Sequence, residues 1–211
     1  MIIVLLGPPG AGKGTQGERL VARLAIPKVA TGDVLRAALK AGTALGLEAK
    51  AFMDRGDLVP DRVILGIMKD TLSSKETAAG VILDGVVRTE AQAEGLTRML
   101  KEINRALDVV LVLTIADDEL IGRLSARTMC DSCQTPYTGE LPGATCAKCG
   151  GHLVRRKDDE PEAVRRRLEV YASQTAPVIT WFRAHGANVR TVDAVGTLDE
   201  VEARALAAIG R

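Results

Sequence analysis

The chain opens on Ile2-Ile3-Val4-Leu5-Leu6, runs directly into Gly7-Pro8-Pro9-Gly10-Ala11-Gly12-Lys13-Gly14-Thr15, and continues with helical spacing. An unbroken apolar run bounded by glycine reads as a strand buried on both faces of a parallel sheet. Glycines let the backbone curl with its N–H groups inward. The helix N-terminus that follows adds partial positive charge, so the turn can hold an anion such as phosphate. Lys13 is placed to reach the outer phosphates. The general phosphate-loop pattern is missed by one place, because Gly14 separates Lys13 from Thr15. Gly12-Lys13-Gly14-Thr15-Gln16-Gly17 also satisfies the dinucleotide fingerprint, with Asp33 about 20 residues on. That fingerprint follows its strand at once, whereas here five residues intervene, the ones that build a phosphate cradle.

Similar apolar runs recur at Val81 to Leu83, Val109 to Leu113 and Val189 to Val192. Between them lie stretches of helical spacing: Thr15 to Leu24, Val34 to Leu39, Val63 to Leu72, Ala91 to Ile103, Glu119 to Leu124, Val164 to Ala172 and Val201 to Ile209. Strands alternating with helices predict a parallel sheet covered on both faces. Thr89 with Gln92, and Thr197 with Glu200, have capping-box spacing. Residues 128 to 153 break the pattern and read as an inserted module.

A length of 211 residues suits one parent domain with insertions. No apolar run approaches the roughly 20 residues of a membrane-spanning helix, and the N-terminus has no basic leader, which predicts a cytoplasmic protein. A net charge of +1 and 2% aromatic residues argue against general capture of nucleic acid.

Val81-Ile82-Leu83-Asp84-Gly85 delivers a carboxylate at the end of a buried strand, where open parallel sheets bind ligands and where it can hold Mg²⁺ through water. Transfer of a phosphoryl group between two nucleotides gathers on the order of six negative charges, of which one Mg²⁺ offsets about two. Arg36, Arg88, Arg123, Arg127, Arg156 and Arg167 are candidates for the rest. Cys130-x2-Cys133 and Cys146-x2-Cys149 have the spacing of two knuckles sharing one tetrahedral Zn²⁺, with two disulfides as the competing use of four thiols. Four thiolates complete such a shell, which leaves His152 on the surface and makes the metal structural.

Taken together, these motifs resemble the adenylate kinases, in particular the bacterial long-lid type with a zinc-binding lid, over essentially the whole chain. The resemblance rests on Gly7 to Thr15, Thr31-Gly32-Asp33 with Arg36, Leu58-Val59-Pro60-Asp61, Arg88 with Gln92, Arg123 with Arg127, and Arg156-Lys157-Asp158-Asp159 with Arg165 and Arg167. It implies a P-loop NTPase-type α/β fold, with a parallel sheet and helices on both faces. A small helical NMP-binding insertion at 30–59 and a zinc-binding lid at 122–159 would interrupt a core of 1–29, 60–121 and 160–211. It implies a Mg²⁺-dependent, monomeric enzyme converting ATP and AMP to two ADP by in-line transfer, without nucleic acid or membrane as partner. A kinase for UMP, CMP or GMP is the near alternative, and Thr31 resembles the adenine-selecting position. A dinucleotide oxidoreductase and a zinc-ribbon ATPase acting on nucleic acid are the distant ones.

By that resemblance Lys13, Arg88, Arg123, Arg127, Arg156 and Arg167 clamp phosphates. Asp84 organises Mg²⁺, and Asp158 and Asp159 complete the catalytic set. ATP lies on Gly10, Ala11, Gly12, Lys13, Gly14 and Thr15, with Arg123, Arg127, Pro136, Tyr137 and Gly196. AMP lies on Thr31, Gly32, Arg36, Asp57, Leu58 and Val59, then on Gly85, Val86, Val87, Arg88 and Gln92, and on Arg156 and Arg167. Gln92 has a second possible use, in the capping box with Thr89. The family has Phe-Pro, with a cis bond, where this chain has Val86-Val87. A cis bond before valine costs about 2.5 to 4 kcal/mol, so trans geometry is expected.

Overall fold

The computed structural model describes residues 1–211, the side chain of Asp117 excepted. In chain order the strands are β1 (Ile2–Leu6), β2 (Lys28–Ala30), β3 (Val81–Asp84), β4 (Val109–Thr114), β5 (Arg127–Cys130), β6 (Pro136–Thr138), β7 (Leu153–Val154) and β8 (Val189–Asp193). The helices are α1 (Lys13–Leu24), α2 (Thr31–Lys40), α3 (Ala44–Arg55), α4 (Asp61–Ser73), α5 (Glu90–Glu102), α6 (Asp117–Ser125), α7 (Pro161–Val170), α8 (Ala176–Ala184) and α9 (Leu198–Ala208).

Five strands form one parallel sheet in the order β2-β3-β1-β4-β8. Alternation along each strand divides the core in two. Ile2, Val4 and Leu6 face one side with Val81, Leu83, Val110 and Val112, where α4, α5 and α8 cover them through Met68, Leu96 and Phe182. Ile3 and Leu5 face the other side with Ile82, Leu111 and Leu113, beneath Leu20 of α1 and Val201 and Ala205 of α9. The second layer is further tied by Glu202 of α9, which accepts from Arg19 and Arg23 of α1.

All four predicted strands and all seven predicted helices are present. The structure adds the short strand β2, and helices α3 and α8. Helix α3 lies tightly on α2, where a Cβ on Gly46 would sit 2.2 Å from the backbone nitrogen of Leu39. Helix α7 starts at Pro161, whose missing N–H costs nothing in a first turn, and passes through a π-turn at Tyr171–Thr175 into α8. Thr197 and Glu200 form the full reciprocal capping box. The cysteine segment builds a separate antiparallel sheet, β6-β5-β7, with its own small cluster of Cys130, Cys146 and Leu153.

The central sheet carries the stability. Leu111, fully buried in β4, should cost about 3 kcal/mol as Leu111→Ala, while Leu47, 60% exposed, should stay within about 0.5 kcal/mol as Leu47→Ala. Urea unfolding midpoints measure both.

Candidate functional site

Strand β1 has β3 on one side and β4 on the other, with Leu5 beside Asp84 and Leu6 beside Val112. The chain therefore leaves β1 at the switch point of the sheet, where a crevice opens beyond the strand ends. Gly10 and Gly12 take left-handed backbone (φ 87° and 86°), and Gly12 caps α1 with no side chain over its first N–H groups. A Cβ on Gly7 would lie 2.5 Å from the Leu113 carbonyl, so the loop can pass β4 only as glycine. Lys13 folds across this loop and donates from Nζ to the carbonyls of Gly7 (2.7 Å) and Pro8 (2.9 Å). Burial pushes its ammonium down to about 7. Asp84 pulls the other way, while Arg88, Arg167 and Arg127 add to the lowering.

Above the loop is a cavity of about 560 Å³ lined by Gly10 to Thr15 and by all six candidate arginines, although these come from widely separated parts of the chain. Lysines and arginines outnumber carboxylates in its wall, nine to five. The arginines are held from behind. Arg156 donates to Asp158 (2.9 and 2.6 Å), Arg127 to Asp159 (2.8 Å), and Arg167 to the Asp158 carbonyl (2.8 Å) and to Asp159 (2.9 Å). Arg36 pairs with Asp33, and Arg88 donates to the Gly85 carbonyl (3.0 Å). Arg123 donates to the Ala194 carbonyl (3.0 Å). Burial lowers Arg88 and Arg36 and brings Arg167 to about 10, and Nε of Arg36 is buried without a partner. The positive charge left over in such a wall favours an incoming anion. Burial also raises Asp84 above the ordinary carboxylate range, although Lys13, Lys28 and Arg88 oppose this. A carboxylate so placed gains most from a divalent cation beside it.

One end of the cavity is formed by Thr31, Gly32, Asp57, Leu58, Val59, Gly85 and Gln92. Thr31 is buried and donates to the Gly85 carbonyl (3.0 Å). Gln92 does not complete a capping box. Its backbone N–H is capped by Thr89 (3.1 Å), but its side chain accepts from the Arg88 N–H (2.7 Å) and donates to Asp61 (2.7 Å). Gly196 and Pro136 also line the cavity.

Four expected site residues, Val86, Val87, Tyr137 and Asp159, do not reach this cavity with their side chains. Val86 and Val87, 1% and 0% exposed, belong to the core, and the bond between them is trans, as is every peptide bond among the described residues. Tyr137 lies between Pro136 and Thr138, both in the wall, and strand alternation turns it to the opposite face, where its hydroxyl is 3.2 Å from Sγ of Cys146. Asp159 stands behind Arg127 and Arg167, so it positions them and does not face the cavity. Arg165 is also outside, donating to the Pro161 carbonyl. The wall further contains Lys28, Gln16 and Lys148, which sequence reasoning passed over because none belongs to a phosphate pattern.

The four cysteines are free thiols, which removes the disulfide alternative. Their sulfurs all lie within 4.8 Å of one another, with Cys130–Cys149 at 3.4 Å and Cys133–Cys146 at 3.6 Å. Tetrahedral Zn–S bonds of about 2.3 Å place sulfurs roughly 3.8 Å apart, so the cluster fits that ion. N–H groups of Ser132 and Cys133 donate to Sγ of Cys130 (3.4 Å each). The Tyr137 hydroxyl holds Cys146 down to about 6. His152 is exposed and outside the cluster.

A glycine-rich anion loop at the switch point of a parallel sheet, facing converging arginines, defines a phosphate-loop phosphotransferase. The dinucleotide alternative fails on geometry as well, because Asp33 lies in α2, paired with Arg36, instead of at a strand end. The family model described as adenylate kinase matches residues 5–187. The chain is 65% identical over 211 residues to an adenylate kinase of Gemmatimonas aurantiaca, covering 99% of each. It is 49% identical over 205 residues to that of Thermodesulfovibrio yellowstonii, covering 95% of each. Against that of Methanosarcina barkeri it is 47% identical over 204 residues, covering 95% of this chain and 94% of the relative. The chain belongs to the adenylate kinase family, and is a nucleoside monophosphate kinase.

The buried Lys13 has a measurable consequence. Above about pH 7 it is largely neutral in the empty loop, and a bound phosphate favours its charged form and raises its pKa. Nucleotide binding at pH 8 should therefore take up close to one proton, read as the dependence of calorimetric enthalpy on buffer ionisation heat. Lys13→Met should abolish that uptake.

Proposed function

We propose that the chain catalyses the reversible reaction of ATP and AMP to give two ADP, with Mg²⁺. An oxygen of the AMP phosphate attacks the γ-phosphorus of ATP in line, and the bond to the β–γ bridging oxygen breaks. Neither a covalent enzyme intermediate nor a strong general base is needed, so catalysis consists of positioning and charge stabilisation. The observation that carries this reading is the convergence of six arginines and Lys13 on one cavity.

In this reading the loop from Gly10 to Thr15 wraps the ATP phosphates. Arg123, with Pro136 and Gly196, borders its nucleoside, while Arg36 and Arg88 receive the AMP phosphate. Thr31, Val59, Gly85 and Gln92 surround the AMP adenine, with Val86 and Val87 contributing backbone and the core behind it. Lys13, Arg127, Arg156 and Arg167 neutralise the phosphoryl group in flight, Arg156 and Arg167 steadied by Asp158 and Arg127 and Arg167 by Asp159. Asp84 would hold Mg²⁺, which when bound would supply charge neutralisation on the triphosphate. Residues 30–59 and 122–159 act as two flaps on a core of 1–29, 60–121 and 160–211, excluding water that would hydrolyse ATP. The same reading makes the protein a cytoplasmic monomer acting on free ATP, AMP and ADP, with neither nucleic acid nor membrane as partner. No helix among the described residues is long and apolar enough to cross a membrane.

A coupled assay with ATP and each of AMP, GMP, CMP and UMP tests the acceptor. AMP should be preferred, and preference for another base would overturn the assignment of the Thr31 pocket. The cysteines should hold one structural zinc per chain, read by elemental analysis. Its removal by a chelator should lower the thermal midpoint by several degrees, because the segment has little other core.

A further inference from the structure

Nine cations line the cavity, and most are already neutralised by a neighbouring carboxylate. Lys28 pairs with Glu18, Arg36 with Asp33, and Arg123 with Glu119. Arg127 pairs with Asp159, Arg156 with Asp158, and Arg167 with both. Among the described residues three cavity cations have no carboxylate within ion-pair distance: Lys13, Arg88 and Lys148. The first two sit at the two proposed phosphate positions. Lys148 lies elsewhere, between Cys146 and Cys149 in the second knuckle, and lines the cavity together with Cys133, Gln134 and Thr135.

An unpaired cation facing an anion site is available to the ligand without first breaking an ion pair. A lysine suits this place, since its flexible stem carries a point charge that adjusts to a mobile polyphosphate. The knuckle gives it a defined origin, because both neighbouring thiols belong to the four-sulfur cluster and fix the turn from which it projects. It lines the same cavity as Pro136, which the reading above assigns to ATP.

We propose that Lys148 is a positioning contact for the phosphoryl donor, a cation that the cysteine module brings to the polyphosphate of ATP. The module would then contribute a binding charge as well as a cover. This rests on the assignment of the Pro136 side to ATP and adds to it a residue outside the arginine set.

The test is the steady-state kinetics of Lys148→Gln and Lys148→Met in the full-length, zinc-loaded protein, with zinc content measured on each. Losing one charge-assisted contact should raise the KM for ATP about three- to tenfold and flatten its dependence on salt, with the KM for AMP unmoved. Lys148→Arg should restore most of the ATP affinity. If zinc content is intact and both KM values match the parent, Lys148 is a solvated turn residue and the proposal fails, while the reading of the reaction stands. If the KM for AMP rises instead, the assignment of the module to the donor side fails with it. If Lys148→Gln and Lys148→Met both lose zinc, the lysine serves the knuckle and the proposal fails as well.

Discussion

The energetic difficulty at the centre of this structure is the crowding of positive charge out of water. Lys13, Arg88 and Arg167 are all buried and all pushed down from their ordinary values by burial, and the arginines and Lys13 further oppose one another. Such an arrangement persists only if the rest of the protein holds it in place. Asp158 and Asp159 do so by accepting from Arg127, Arg156 and Arg167, which fixes the guanidinium groups without neutralising the whole cavity. The remaining surplus is what a polyphosphate relieves. In the proposed reading, binding energy and catalytic charge stabilisation would come from the same side chains, which is efficient where the transition state is itself a spread of negative charge.

The sheet supplies the rigidity that this requires. Strand β1 is completely buried and carries the loop from its end, and β3 beside it ends on Asp84 one residue past Leu83 of the core. Both the anion loop and the candidate cation ligand are thus anchored at the ends of buried central strands. The arginines come mainly from outside the sheet and are held by carboxylates of their own, so backbone amides and guanidinium groups share the work of recognising phosphate.

How much of this was legible follows from the physical signals involved. Strands β1, β3, β4 and β8 announced themselves as apolar runs, and the anion loop as glycines between a strand and a helix. Strand β2 has three half-buried residues, Lys28-Val29-Ala30, and no pattern that short separates from a loop. Helix α8, Ala-Pro-Val-Ile-Thr-Trp-Phe-Arg-Ala, carries proline and adjacent β-branched residues, so its helical state comes from packing Val178 and Phe182 into the core instead of from propensity. The site was legible as a set of residue types, but not in its facing. Tyr137 and Pro136 are neighbours in sequence, and the two-residue period of β6 puts them on opposite faces. Asp159 and Asp158 differ likewise, one behind the arginines and one in the wall. Gln92 showed that two readings of one residue can both be partly right, since its N–H serves the cap and its amide serves Arg88 and Asp61.

In the proposed reading the cysteine module serves to exclude water from a reaction that would otherwise waste ATP. A cover that opens in each cycle cannot share the main core, because the contacts stabilising it would be broken at every opening. It has to be stable by itself, yet its own apolar cluster is three buried residues and a few partly buried neighbours. A segment of this size does not fold on so little hydrophobic burial. In the proposed reading, four thiolates around one zinc ion would replace a core with bonds that are indifferent to whether the cover is open or closed. The module would then move as one rigid piece, bringing Arg127 at its base and Lys148 in its knuckle with it.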